Sequence, residues 1–158
     1  RMVKNSKNRI PFGIELLQKH KRDSWIVFTE NKKQAKEFNK IINTKGYKSA
    51  IYNTDLDNAE REENLNNFKN GNLNVLVSCT ALDEGFDMPE ADGAMILSAS
   101  SSKRQRIQRM GRVLRITANK QNALIVTVYS SKTEFDKLRE ESNRYKLEGV
   151  PIKWQQMK

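Results

Sequence analysis

The chain has 158 residues, with 29 Lys plus Arg against 19 Asp plus Glu, so it carries a net charge of +10 and a sequence pI near 9.8; that length fits one domain able to bury a core without disulfides. One cysteine, Cys79, and one histidine, His20, exclude an internal disulfide framework, a Cys-rich zinc site and His-based metal motifs, and no metal site is expected. No apolar stretch approaches the roughly 20 residues of a membrane span and the basic stretch 1–9 lacks a signal-peptide core, so a protein of the cell interior is expected, cytoplasmic or nucleoid-associated, with no membrane partner and with a polyanion as the default partner of its positive surplus.

Residues 1–23 read as an N-terminal arm and short helix, the stretch up to Arg9 being loose. From there short apolar runs alternate with segments of helical periodicity. Residues 24–28 (Ser-Trp-Ile-Val-Phe), 48–52 (Lys-Ser-Ala-Ile-Tyr), 75–77 (Val-Leu-Val), 94–97 (Ala-Met-Ile-Leu) and 123–128 (Ala-Leu-Ile-Val-Thr-Val) read as strands, mostly buried on both faces as in a parallel sheet. Between and after them, 31–44, 57–70, 103–114 and 133–145 read as helices. Asp57 with Glu60, and Ser102 with Gln105, are capping-box pairs, and Gly46 and Gly71 stand where helices must stop. Strand followed by helix, repeated, predicts an α/β domain: a mostly parallel sheet flanked by helices on both faces, here over 24–146. Residues 147–158 read as a tail, whose Trp154 either covers the edge of the core or stacks on a base.

Residues 102–115 read Ser-Lys-Arg-Gln-Arg-Ile-Gln-Arg-Met-Gly-Arg-Val-Leu-Arg. At about 100° per residue, Ile107, Met110 and Leu114 share one face, while Gln108, Arg112 and Arg115 share another. The first face suits a sheet. The second presents planar, permanently charged forks that suit phosphoryl oxygens, and Gly111 lets another surface come close, at about 1 kcal/mol in helix propensity.

The strand at 75–77 runs on through Ser-Cys-Thr into Ala-Leu-Asp-Glu-Gly-Phe-Asp-Met-Pro, residues 81–89. A buried strand entering a loop with a hydroxyl, a glycine and carboxylates is the pattern of a ligand-holding carboxyl edge of a parallel sheet. Thr80 can donate to a phosphate, Gly85 allows close backbone approach, and Asp87, held by Pro89, can accept from a hydroxyl such as that of a ribose. Asp83 and Glu84 read as solvated or paired with nearby arginines. Cys79 reads as a small buried hydrophobe.

Together these segments resemble the second RecA-like domain of a superfamily 2 helicase or translocase. Residues 25–31 (Trp-Ile-Val-Phe-Thr-Glu-Asn) resemble its motif IV, 75–89 its motif V, and 108–115 (Gln-Arg-Met-Gly-Arg-Val-Leu-Arg) its motif VI, of the form Gln-Arg-x-Gly-Arg-x-x-Arg. The glutamine at the start of motif VI favours that branch over the His-bearing DEAD-box branch. The resemblance implies that Arg112 and Arg115 are arginine fingers supported by Gln108, that Gly85 and Asp87 help bind ATP, and that Thr80, Thr29, Asn31, Asn53 and Arg61 contact a nucleic-acid backbone, DNA rather than RNA. The sequence holds no Gly-x4-Gly-Lys-Ser/Thr loop and no Asp-Glu-x-Asp/His segment. ATP and Mg are therefore expected to be bound mainly by an N-terminal RecA-like lobe of the same protein, and this lobe alone is expected to be inactive. A nucleic-acid-binding module without hydrolysis is the alternative. A dinucleotide or methyl-donor enzyme is disfavoured because no Gly-x-Gly-x-x-Gly follows a strand.

Overall fold

Residues 9–21, 23–53, 55–79, 91–97, 124–129, 131–147 and 152–154 are described by the computed structural model. In chain order they form α1 (Ile10–Lys19), β1 (Trp25–Phe28), α2 (Lys32–Thr44), β2 (Ser49–Tyr52), α3 (Asn58–Lys69), β3 (Val75–Ser78), β4 (Gly93–Ile96), β5 (Leu124–Thr127) and α4 (Lys132–Leu147). The strands make one sheet in the order β2-β3-β1-β4-β5, and every pairing is parallel. The chain passes from β1 outward over β3 to β2 and then returns to β3. Right-handed crossovers in those two directions put α2 and α3 on opposite faces.

Side-chain alternation along the strands feeds both layers. Val27, Val75, Val77, Met95 and Leu97 pack on one face with Ile10, Ile14 and Leu17 of α1 and Ala35, Phe38 and Ile42 of α2. Ile26, Phe28, Leu76, Ala94 and Ile96 pack on the other, with Phe68 of α3. The three inner strands are buried along their whole length. At the edges the expectation of two-face burial fails: β2 is half-buried throughout and β5 reaches the surface at Ile125, because an edge strand has a neighbour on one side only. The open edge of β2 is covered by asparagines, Asn43 Oδ1 accepting from the Ser49 N–H at 3.4 Å and Asn64 Nδ2 donating to the Ile51 carbonyl at 3.0 Å.

Arg9, expected at the end of a loose arm, is buried instead, 2% exposed. It donates to the Val128 carbonyl at 2.5 Å and pairs with Glu134 of α4, tying the start of α1 to the far end of the sheet. Gly46 and Gly71 do end α2 and α3 with positive φ of 91° and 82°, the conformation that a side chain disfavours. Trp154 meets Phe135 and Tyr129 edge-on at 5.1 and 6.4 Å, closing an aromatic cluster beside β5 while remaining 38% exposed. The helix read at 103–114 and the Ser102–Gln105 cap lie outside the described residues.

Candidate functional site

A parallel sheet gathers the ends of all its strands on one side. Here that edge is about 19 Å across, at about 4.8 Å per strand spacing. Thr29 follows β1, Asn53 follows β2 and Cys79 follows β3, and both α2 and α3 begin at the same edge because each follows its strand directly. Sites in open α/β sheets form at such edges. Among the described residues the edge holds Thr29, Asn31, Asn53 and Arg61 of the predicted contacts. Thr80, Gly85, Asp87, Gln108, Arg112 and Arg115 lie outside the described residues.

Thr29 is fully buried. Its Oγ1 lies 3.2 Å from the Asn31 carbonyl and 3.3 Å from that of Ser78, and its N–H donates to the same Ser78 carbonyl at 2.8 Å. The hydroxyl is thus turned inward, where it holds the turn after β1. Asn31 is exposed and is the N-cap of α2: its backbone is extended, with φ −151° and ψ 173°, and its side chain accepts from the Gln34 N–H at 2.8 Å. Gln34, buried, reaches back to accept from the Glu30 N–H at 2.6 Å. The Asn31–Gln34 bond is the forward half of a capping pattern, Asn-x-x-Gln, as readable in the sequence as the Asp57 pattern, while Gln34 fixes the residue before the cap rather than the cap itself.

Asn53 is 1% exposed and its Oδ1 accepts from the Asp55 N–H at 3.0 Å, an Asx turn that sets the loop after β2. That loop presents Asp55 to Lys32, the first residue of α2, with Nζ 2.5 Å from Oδ1. The hydrogen bond from Lys32 holds the Asp55 carboxyl below its ordinary value of 3.8, aided by the charges of Lys32 and Lys36. Sequence reasoning missed this pair, whose partners are 23 residues apart and meet only because β1 and β2 end together. Asp57 caps α3, accepting from the Glu60 N–H at 2.8 Å, as its spacing predicts. Arg61, half-buried one turn into α3, donates to Asn58. Among the described residues no three His, Cys, Asp or Glu side chains cluster in a way that could hold a metal ion.

The comparisons agree with the architecture. The helicase conserved C-terminal domain family matches residues 8–117. The DNA 3'-5' translocase XPB2 of Sulfurisphaera tokodaii is 36% identical over 129 residues, which are 82% of this chain and 28% of that protein. UvrABC system protein B of Kosmotoga olearia is 29% identical over 94% of this chain and 23% of its own length, and the ATP-dependent RNA helicase DBP3 of Candida glabrata is 30% identical over 63% and 19%. The chain thus spans less than a third of each of these relatives. In three dimensions it is similar to the C-terminal domain of the DEAD-box protein Dbp5, with a TM-score of 0.74 at 23% identity over 90% of this chain and 81% of that one. The helicase domain of Pyrococcus furiosus Hef superposes with a TM-score of 0.59 at 24% identity, over 87% and 28%. A family match across most of the chain, on a five-stranded parallel sheet shared with known C-terminal lobes, places this chain in the helicase conserved C-terminal domain family, as a C-terminal RecA-like lobe of the superfamily 2 helicases and translocases.

Proposed function

We propose that the chain is the second lobe of an ATP-dependent nucleic-acid motor, working with an N-terminal RecA-like lobe of the same protein. The observation that supports this reading is the family match over residues 8–117, which embraces the loop from Thr29 to Asn31, the 75–89 segment and the arginine segment 108–115 in one continuous stretch. Arg112 and Arg115, supported by Gln108, act as fingers on the γ-phosphoryl group of ATP held across the cleft. Gly85 and Asp87 complete the nucleotide site, and Mg, bound with ATP by the other lobe, neutralises phosphate charge there. Thr80, Asn31 and Arg61, together with the turns fixed by Thr29 and Asn53, follow the nucleic-acid backbone. Such contacts position a strand without reading its bases. The relatives' names include both a DNA translocase and an RNA helicase and so give no preference for DNA.

The test adds an N-terminal lobe carrying a phosphate loop and measures nucleic-acid-stimulated ATP hydrolysis. The chain alone should show no turnover, and the reconstituted pair should. Arg112→Ala and Arg115→Ala should each lower kcat by about 10³ to 10⁵, the range for an arginine finger, with oligonucleotide binding retained. An unchanged kcat refutes the finger assignment. Oligonucleotide binding with no restored hydrolysis identifies a binding module instead.

A further inference from the structure

Lysines 32, 36 and 40 stand four apart on α2. Over those eight residues a helix advances about 12 Å while the three side chains drift through only about 80°, so they form one stripe. Asn39 and Asn43 share that flank and turn to β2, Asn39 accepting from the Ser49 hydroxyl at 2.6 Å and Asn43 from its N–H. The stripe therefore borders the edge strand and begins at the sheet edge where Asn31 caps the helix. Glu37, the sole acidic residue of α2, lies about 100° around from Lys36, away from β2. Among the described residues Lys36 and Lys40 form no ion pair. Lys32 has Asp55, in a pair whose side chains are 41% and 44% exposed, the kind that contributes little net free energy and exchanges readily. Lysines beside an edge strand can also serve to prevent edge-to-edge pairing, but here Asn43 and Asn64 already share in that work, taking the outward Ser49 N–H and Ile51 carbonyl.

We propose that Lys32, Lys36 and Lys40 form a track for a nucleic-acid phosphate backbone leaving the sheet edge along α2, and that Asp55 occupies Lys32 until a phosphate displaces it. The proposal rests on the nucleic-acid reading above and deepens it. Flexible ammonium groups at regular spacing suit a backbone that slides, since they hold charge without demanding one register. The exchange of Asp55 for phosphate swaps one anion for another at Lys32, so occupancy of the track is set by local phosphate density.

The experiment measures binding of a fluorescent oligo-dT of about 16 nucleotides by the full chain over a range of salt. Each phosphate contact changes affinity by about threefold between 50 and 200 mM salt and adds about 0.7 to the log–log slope for single strands. Lys36→Ala with Lys40→Ala should weaken binding about tenfold and flatten the slope by about 1.4. Asp55→Asn should tighten binding about threefold, and Lys32→Ala in that background should abolish the gain. Lys69→Ala with Lys137→Ala, exposed lysines elsewhere with the same charge change, should do less than the α2 pair. Equal losses from the two pairs overturn the track, and an Asp55→Asn gain that persists without Lys32, or no gain at all, overturns the exchange. In both cases oligonucleotide binding by the unaltered chain keeps the reading of the lobe intact. Failure of the unaltered chain to bind at all overturns the nucleic-acid reading and the track with it.

Discussion

Gly93 stands opposite Trp25 in the pairing of β1 with β4, and a Cβ there would lie 2.7 Å from the indole. Gly93→Ala should therefore destabilise the fold by about 1 to 3 kcal/mol through overpacking, seen as a lower urea midpoint with an unchanged m-value. Arg9 and Glu134 form a second residue-scale lock. Their side chains are 3% and 7% exposed, and removing one partner leaves the other charged and buried. Arg9→Met should cost about 3 to 5 kcal/mol, while Arg9→Met combined with Glu134→Leu should recover part of that loss, measured in a double-mutant cycle. Neither lock could be read from the sequence. Residues 25 and 93, or 9 and 134, are too far apart for any local periodicity to couple them, and an arginine in a basic N-terminal stretch reads as solvated until a carboxylate is found facing it.

At the scale of elements the local chemistry was far more readable. Asp57 does cap α3 and Gly71 does end it, because a cap is decided within four residues. Asn31 obeys the same chemistry at α2. Asn31→Ala should cost about 1 kcal/mol of stability whereas Asn31→Ser should cost little, both read by thermal unfolding; a loss of nucleic-acid affinity in Asn31→Ser would then report a contact beyond the cap. Lys32 and Asp55 link α2 to the loop after β2, and the sign of their pH dependence follows from the depressed carboxyl. Such a group stabilises the fold above its unfolded value of about 3.9 and loses that contribution as pH falls through its lower folded value. Any stability difference between the wild type and Asp55→Asn should hold at neutral pH and shrink on acidification below about pH 4. The strands were the less faithful elements: β2 and β5 have the apolar composition of buried strands but are half-buried, since composition does not say which strand lies at an edge.

For the whole molecule, the arrangement β2-β3-β1-β4-β5 brings residues 29–31, 53, 55–61 and 78–79 to one side, and the chain carries a surplus of ten positive charges. Nucleic-acid affinity should accordingly fall steeply with salt and differ little between oligonucleotides of unlike base sequence, tested by titrations with oligo-dT and a mixed-sequence strand. The alternation of apolar runs with helical segments, the caps and the spacing of the arginine segment follow from local rules, so the α/β class and the family resemblance were set by the sequence alone. Which strands are inner and which are edges, that α1 belongs to the main core, that Thr29 and Asn53 turn their polar atoms inward, and that Asp55 meets Lys32 were decided only in three dimensions. Those outcomes depend on pairing and burial between segments far apart in the chain, where the deciding quantity is which groups lose water together.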